Sequence, residues 1–234
     1  MLRKLWIPTS SSQLLQAQEK LLAYHQLTPL YKRNRIELPS TLSESICGQK
    51  KSLIINSIEF SSSSPSSLSS LSTCVLAHGL GSGLALFYSN LRYLSQKFDR
   101  VLCVDWLGFG GSDRPSWKAR PDTITTTESA DFFIHSLKEF VEQTNCSPFT
   151  FIGHSLGGLL ATEYAMRYPK DIHSLYLISP AGLPAPPLDA TLISNQVEVP
   201  TSVKVLDAAW QNNVTPGAMV RMMGPKGKEK HVLG

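Results

Sequence analysis

The pentapeptide Gly153-His154-Ser155-Leu156-Gly157 places a hydroxyl between two glycines in the pattern G-x-S-x-G. In that pattern the serine sits on a very sharp strand-to-helix turn, held in strained dihedrals so that its hydroxyl projects above a sheet and can attack a carbonyl. The positions two before and two after it must be small, because side chains there collide with the following helix and the neighbouring strand. Gly153 and Gly157 meet this need, and Gly158 adds clearance. The start of the helix that follows aims free N–H groups and a positive dipole at the place where an oxyanion would form. A glycine-rich turn with an idle serine is the alternative. An apolar strand before the motif and an apolar helix after it, residues 156–168, argue for the nucleophile.

A second loop, His78-Gly79-Leu80-Gly81, follows the apolar run Thr73 to Ala77 at once. In this arrangement the loop gives one backbone N–H to the oxyanion, and the residue after the nucleophile gives the other. The donors are therefore assigned to the backbones of Leu80 and Leu156, with the glycines letting the chain approach a substrate closely. A dinucleotide loop is disfavoured because Leu84 stands where the third glycine of G-x-G-x-x-G belongs, and no G-x-x-x-x-G-K-[ST] occurs. His78 reads as a structural loop residue, not a proton carrier. A third loop, Asp105 to Pro115 (DWLGFGGSDRP), reads as a packed pocket rim, with Asp105 too early in the chain to be a triad acid.

The elements that must position these loops follow from periodicity. Ser10 to Ser12 cap an N-terminal helix whose apolar face is Leu14, Ala17 and Leu21 with Leu15 and Leu22. Ile36–Leu38 and Leu53–Phe60 read as antiparallel opening strands. Nine of the twelve residues from Ser61 to Ser72 are serine, which reads as a flexible loop. Strands and helices then alternate: strand Thr73–Ala77, helix Leu84–Gln96, strand Val101–Val104. Thr125-x-x-Glu128 forms a capping box opening a helix with Ala130, Phe133, Ile134, Leu137 and Val141 on its apolar face. Strand Phe149–Ile152, the helix after Ser155 and strand Leu175–Ser179 complete the series, implying a parallel sheet covered on both faces. Gly182 to Pro187 reads as a linker into a mixed segment.

Composition bounds the rest. With 42% apolar and 17% charged residues in 234, the chain can bury one sizeable core. No apolar stretch nears the ~20 residues of a membrane helix, and no secretory signal is evident, which predicts an intracellular, non-secreted protein. Cys47, Cys74, Cys103 and Cys146 show neither C-x-x-C spacing nor disulfide density, so no metal or cofactor is expected. Residues 1–36 and 221–234 are basic and the middle is mildly acidic. Basic ends can favour an anionic surface, although a solvated flank is the simpler reading. Nucleic acid is disfavoured, since no basic stripe interleaves with aromatics.

The stretches HGLGSGLALFYSNLRYLS, VDWLGFGGSDRP and GHSLGG together resemble the α/β-hydrolase superfamily. More narrowly, they are similar to its lipid-metabolism branch of lysophosphatidic acid acyltransferase-like lipase co-activators, N-acyl phospholipid lipases and cardiolipin-specific deacylases. Trp6-x-Pro8-Thr9-Ser10 with Leu14, Ala17, Glu19 and Lys20 is similar to the opening of that branch, and Trp210 to Pro225 to its cap. The resemblance implies an α/β-hydrolase fold, a mostly parallel sheet flanked by helices. It also implies Ser155 as nucleophile, Leu80 and Leu156 as oxyanion donors, and His78, Gly79, Gly81, Gly153, His154 and Gly157 as elbow and loop support. Co-activator members carry a non-nucleophilic residue at the serine position, so Ser155 places this chain nearer the enzymes.

The order of a triad in this fold is Ser, acid, His. Behind Ser155 stand only His173, expected before its strand at the wrong end of the sheet, and His231. Beyond the helix after Ser155 the acids are Asp171, Asp189, Glu198, Asp207 and Glu229, with Asp189 a candidate. The branch's H-x-x-x-x-D motif is absent. The expectation is a fragment that ends inside the cap: a docking helix region over 1–35, the first part of the hydrolase core over 36–181, and a partial cap over 182–234. The C-terminal strands would be missing and the last strand left as an apolar edge. Alone, such a chain is expected to be unstable or inactive. The function expected is a lipid acyl hydrolase or acyltransferase working through an acyl-enzyme on Ser155. Its partner would be a lipid or acyl-ester substrate, with peripheral contact at a lipid droplet or membrane and a cytosolic, lipid-droplet or mitochondrial setting. A non-catalytic lipid-surface adaptor and a general carboxylesterase or peptidase are the competing readings.

Overall fold

Alternation of apolar side chains builds the centre of the molecule. Val75 and Ala77 point to one face of their strand, Cys74 and Leu76 to the other, and all four are buried. Leu102 and Val104 against Val101 and Cys103 repeat the pattern on the neighbouring strand. A strand buried on both faces needs helices on both, and the chain supplies them. A computed structural model describes residues 10–27, 30–61, 73–115, 125–182 and 208.

Among the described residues the sheet has six strands: β1 (Tyr31–Leu38), β2 (Leu53–Ser61), β3 (Thr73–Ala77), β4 (Arg100–Val104), β5 (Phe149–His154) and β6 (Ile172–Ile178). Their spatial order is β1-β2-β4-β3-β5-β6. The β1/β2 and β2/β4 pairs are antiparallel, and β4, β3, β5 and β6 run parallel. The helices are α1 (Ser11–Tyr24), α2 (Ser40–Cys47), α3 (Tyr88–Lys97), α4 (Thr126–Thr144) and α5 (Leu156–Arg167). On one face Leu22 of α1, Leu27 and Leu91 of α3 pack over Ile58, Phe60 and Leu76. On the other, Ile46 of α2, Leu137 and Phe140 of α4 and Tyr164 of α5 cover Ile55, Val75 and Phe151. This is the α/β layer arrangement expected from the motif order. The chain divides into two compact units, and the described residues belong to the one spanning Ser11–Leu183, apart from Ser10 and Ala208.

Several elements depart from the sequence expectation. The first strand begins at Tyr31, five residues before Ile36. Its polar opening, Tyr-Lys-Arg-Asn-Arg, pairs with Phe60 to Asn56 at the sheet edge, where polar residues are tolerated. The serine-rich helix α2 carried no periodic signal. It is bounded by Pro39 and by Gly48, whose φ of 68° ends the helix in the left-handed conformation. The helix expected from Leu84 opens as a 3-10 turn, Leu84–Phe87, before α3. On α1 the buried line is Gln18 and Leu22, with Ala17 exposed. On α4 Phe132, Ser136 and Phe140 are also buried, because the helix packs against α2, α5 and β1 as well as the core. Its capping box is present: Glu128 N–H donates to Thr125 Oγ1 at 3.1 Å, and Thr125 N–H to Glu128 Oε2 at 2.8 Å.

The last strand starts at Ile172, so His173 lies within β6 and does not precede it. It is still at the N-terminal end of that strand, beside Phe149, away from the His154 end. Asp171 lies there too. Its carboxylate accepts from Lys138 Nζ at 2.9 Å, Ser147 Oγ at 2.8 Å and Tyr164 OH at 2.7 Å. Burial raises its pKa, but these donors outweigh burial and hold it below the ordinary value. Asp171 is thus a clamp at the sheet end opposite Ser155. Asp171→Asn should cost about 2 kcal/mol, since charge-assisted bonds lose strength and a donor meets donors. Urea unfolding checks this. The Asp171 contribution is present above the unfolded carboxyl pKa near 4. It fades as pH falls through the lowered folded value.

Among the described residues β6 is the last strand of the sheet, with Tyr176, Leu177 and Ile178 exposed. All four cysteines are buried free thiols, and burial pushes Cys74 up to about 12. No helix among the described residues is long and apolar enough to cross a membrane. The serine-rich run after Ser61, residues 1–9, the linker and cap over 183–234, and Asp189, Glu198, Asp207, Glu229 and His231 all lie outside the described residues, Ala208 apart.

Candidate active site

The chain leaves β3 for β4 on one side and later returns to β5 on the other, so the strand order reverses at β3. Loops leaving the two strands flanking such a reversal part above the carboxyl ends and open a crevice. The loop from β3 carries His78 to Gly81, and the turn from β5 carries Ser155. The topology itself brings together the two motifs that the sequence separates by more than seventy positions.

Ser155 has φ 53° and ψ −118°, a conformation that non-glycine residues rarely adopt. The turn is braced on both sides. Ser155 N–H donates to Ile178 O at 3.0 Å, and Ser155 O accepts from Gly158 N–H and Ala181 N–H, each at 2.9 Å. The glycines earn their places by contact. A Cβ on Gly153 would lie 2.7 Å from the Gly157 carbonyl carbon and 2.8 Å from Gly158 Cα. One on Gly157 would lie 2.6 Å from His78 O, and one on Gly158 2.8 Å from Pro180 Cβ. These neighbours are mostly backbone and cannot turn aside. Gly153→Ala should therefore destabilise the chain by about 2 to 3 kcal/mol, a typical overpacking cost, measurable by thermal unfolding.

The β3 loop meets the elbow directly. A Cβ on Gly79 would stand 2.9 Å from Ser155 Cβ and 3.2 Å from His154 Nδ1. Gly81 holds φ 73°, which turns the loop. Leu80 is 54% exposed. Among the described residues no acceptor takes the N–H of Leu80 or of Leu156, the first residue of α5. His154 Nδ1 is buried with no hydrogen-bond partner there.

His78 is fully buried, and its bonds fix its tautomer. Trp106 N–H donates to Nε2 at 3.3 Å, leaving Nδ1 to donate to Gly79 O at 2.8 Å. Burial lowers its pKa below the ordinary 6.5, against the opposing pulls of Gly79 O and Asp105. With its lone pair occupied and its ring neutral, His78 stiffens the loop. Its contribution to stability is full above the unfolded value near 6.5 and is lost as pH falls through the lowered folded value. Melting temperature should accordingly fall from pH 6.5 towards 5, and less steeply in His78→Asn.

Asp105 is not on a rim. It is wholly buried, and its carboxylate accepts from Leu84 N–H at 2.6 Å, Asn56 Nδ2 at 2.7 Å and Gly111 N–H at 2.7 Å. Gly110, at φ 50°, passes so close that any Cβ would overlap that carboxylate. Sequence reasoning missed this hub. The signal present was glycine at 108, 110 and 111 just after an aspartate that ends an apolar strand.

A cavity of about 630 Å³ lies beside the elbow between α4 and α5, lined by Ala130, Phe133, Leu156, Leu159 and Leu160 with Glu163. Ala130 and Phe133, expected in the core, are half-buried and line it. No histidine or carboxylate among the described residues bonds to Ser155 Oγ, and Asp171 and His173 stand at the other end of the sheet.

The family described as alpha/beta hydrolase fold matches residues 74–213. The chain belongs to the α/β-hydrolase family. Among curated α/β hydrolases it is 31% identical over 227 residues to 1-acylglycerol-3-phosphate O-acyltransferase of Arabidopsis thaliana, covering 95% of this chain and 51% of that one. It is 36% identical over 154 residues to (lyso)-N-acylphosphatidylethanolamine lipase of Mus musculus, covering 65% and 42%. It thus spans about half the length of the curated relatives it matches. Among solved structures, a membrane phospholipase A described as a bacterial virulence factor superimposes with a TM-score of 0.55 at 20% identity, over 76% of this chain and 47% of that one. That likeness shows the fold shared across α/β hydrolases.

Proposed function

We propose that the chain carries the nucleophile and oxyanion half of a serine-dependent lipid acyl hydrolase or acyltransferase, with Ser155 as nucleophile and the Leu80 and Leu156 N–H groups as oxyanion donors. The observation that carries this is the strained Ser155 at the β5–α5 turn, with Gly79 of the β3 loop against it. The Ser155 oxygen attacks the acyl carbonyl and loses its proton to a base. The carbonyl oxygen gains the negative charge between the two N–H groups. The alcohol then leaves with a proton, and the acyl-enzyme is released by water, or by a lysophospholipid hydroxyl when the reaction is transfer. Gly79, Gly81, Gly153, His154 and Gly157 support this geometry, and His78 fixes the loop.

Substrate class rests on two supports. The apolar cavity beside Leu156 suits an acyl chain. Both curated relatives bear the names of enzymes acting on acyl groups of glycerophospholipids. The reading extends to peripheral contact with a lipid surface, at a lipid droplet or a mitochondrial membrane where cardiolipin would be the acyl donor. Vesicles with and without cardiolipin test that extension.

One observation favours a non-catalytic adaptor: no general base bonds to Ser155 Oγ among the described residues. Incubation with p-nitrophenyl esters of acetate and laurate, followed by mass spectrometry of the Ser155 peptide, separates the readings. An acyl adduct favouring laurate is the expected result. Equal adducts point to a general esterase. Vesicle binding with no adduct points to the adaptor and overturns the nucleophile.

A further inference from the structure

Gln18 is 5% exposed on the face of α1 that packs towards the sheet, one turn from Leu22. A polar side chain there needs partners, and Arg33 of β1 supplies one. Arg33 Nη1 donates to Gln18 Oε1 at 3.4 Å and to Asn56 Oδ1 at 3.2 Å, and Nη2 to Glu19 Oε1 at 2.7 Å. Tyr31 OH donates to the other Glu19 oxygen. Asn56, fully buried on β2, passes the chain of bonds on through Nδ2 to Asp105 Oδ2. Asp105 Oδ1 accepts the Leu84 N–H, where the β3 loop ends.

The same loop touches α1 directly. A Cβ on Gly83 would lie 3.1 Å from Asp105 Oδ1 and 3.9 Å from Gln18 Nε2, and Leu84 packs in one cluster with Leu22. Apolar contact alone would suffice to dock a helix. Polar groups linked in series beneath one are costly unless every member is satisfied, and satisfied networks fix a single geometry. Here the Arg33, Tyr31 and Asn56 donors each have an acceptor, and the bonds converge on the Asp105 carboxylate, which holds the N–H of Leu84, four residues beyond Leu80.

We propose that the relay Glu19–Arg33–Asn56–Asp105 positions the oxyanion loop, so that α1 is a positioning element of the acyl site and not only a packed flank. This rests on the reading of Leu80 and Ser155 given above. Arg33 is a positioning residue, since it reaches the site only through Asn56 and Asp105.

The test compares the full 234-residue chain with Arg33→Met and with Asp171→Asn, which loosens the far end of the sheet. Amide hydrogen exchange and the rate of fluorophosphonate labelling are read at a temperature where all three are folded. In Arg33→Met, exchange at Leu84 and Gly111 should rise about tenfold while β5 amides are unchanged, and Ser155 labelling should slow about tenfold. Asp171→Asn should leave both within about twofold of the parent. Unchanged exchange at Leu84 in Arg33→Met overturns the relay. Faster exchange with unchanged labelling overturns its role at the site. A parent chain that takes no label at Ser155 defeats the acyl reading and the positioning role with it, while exchange still decides whether α1 holds the loop.

Discussion

Asp105→Ala is expected to lower stability by about 3 to 5 kcal/mol, because it strands two buried donors and a half-buried one that now bond one carboxylate. Those donors, Leu84 N–H, Asn56 Nδ2 and Gly111 N–H, come from three separate segments. Leu84 and Asn56 are fully buried, so their donors have no water to turn to. Asp105→Asn keeps the shape and one acceptor oxygen but turns an amide donor towards a donor, so about 2 kcal/mol is expected. Urea denaturation of both variants checks the ranking. Equal stability of Asp105→Ala and the parent would show that the hub contributes nothing.

Gly157→Ala should have the second large effect, and it should act on reactivity as well as stability. The added carbon would lie 2.6 Å from His78 O and 2.8 Å from the Ala77 carbonyl carbon, so α5 must move off the end of β3. About 3 kcal/mol of overpacking is expected. The shift also separates the Leu156 N–H from the Leu80 N–H. Loss of one oxyanion donor typically costs about 100-fold or more in rate. Fluorophosphonate labelling of the folded variant should fall accordingly, whereas Gly81→Ala, with open space at its Cβ, should show only the cost of its positive φ.

Much of this site was legible because its chemistry is local. The G-x-S-x-G spacing records the clearances that Gly153 and Gly157 show, and Thr125 with Glu128 marks the start of α4 at the right residue. Strand Thr73–Ala77 was readable as a short apolar run ahead of a glycine loop. What escaped was long-range or polar. Gln18, Arg33, Asn56 and Asp105 lie far apart in the chain, and polar contacts between distant residues leave no periodicity. The start of β1 was hidden because an edge strand tolerates exposed Lys32 and Arg35, and because Arg33 is held by Gln18, Glu19 and Asn56 rather than by apolar packing. Helix α2 was hidden because Ser-rich octapeptides have weak helical preference and gain stability by packing Ile46 and Cys47 into the core. Asp171, one of the acids behind Ser155, was removed from the triad question only by seeing its three donors at the far end of the sheet.

The central claim is that the fold preorganises one serine among many. Reaction of the native 234-residue chain with a fluorophosphonate, followed by peptide mapping, tests it most directly. A single adduct on the peptide carrying Ser155, absent in Ser155→Ala and lost when the chain is unfolded in urea before labelling, is the result expected from the braced elbow, against the instability or inactivity expected from the sequence. No adduct on the native chain, or adducts spread over other serines, would contradict it.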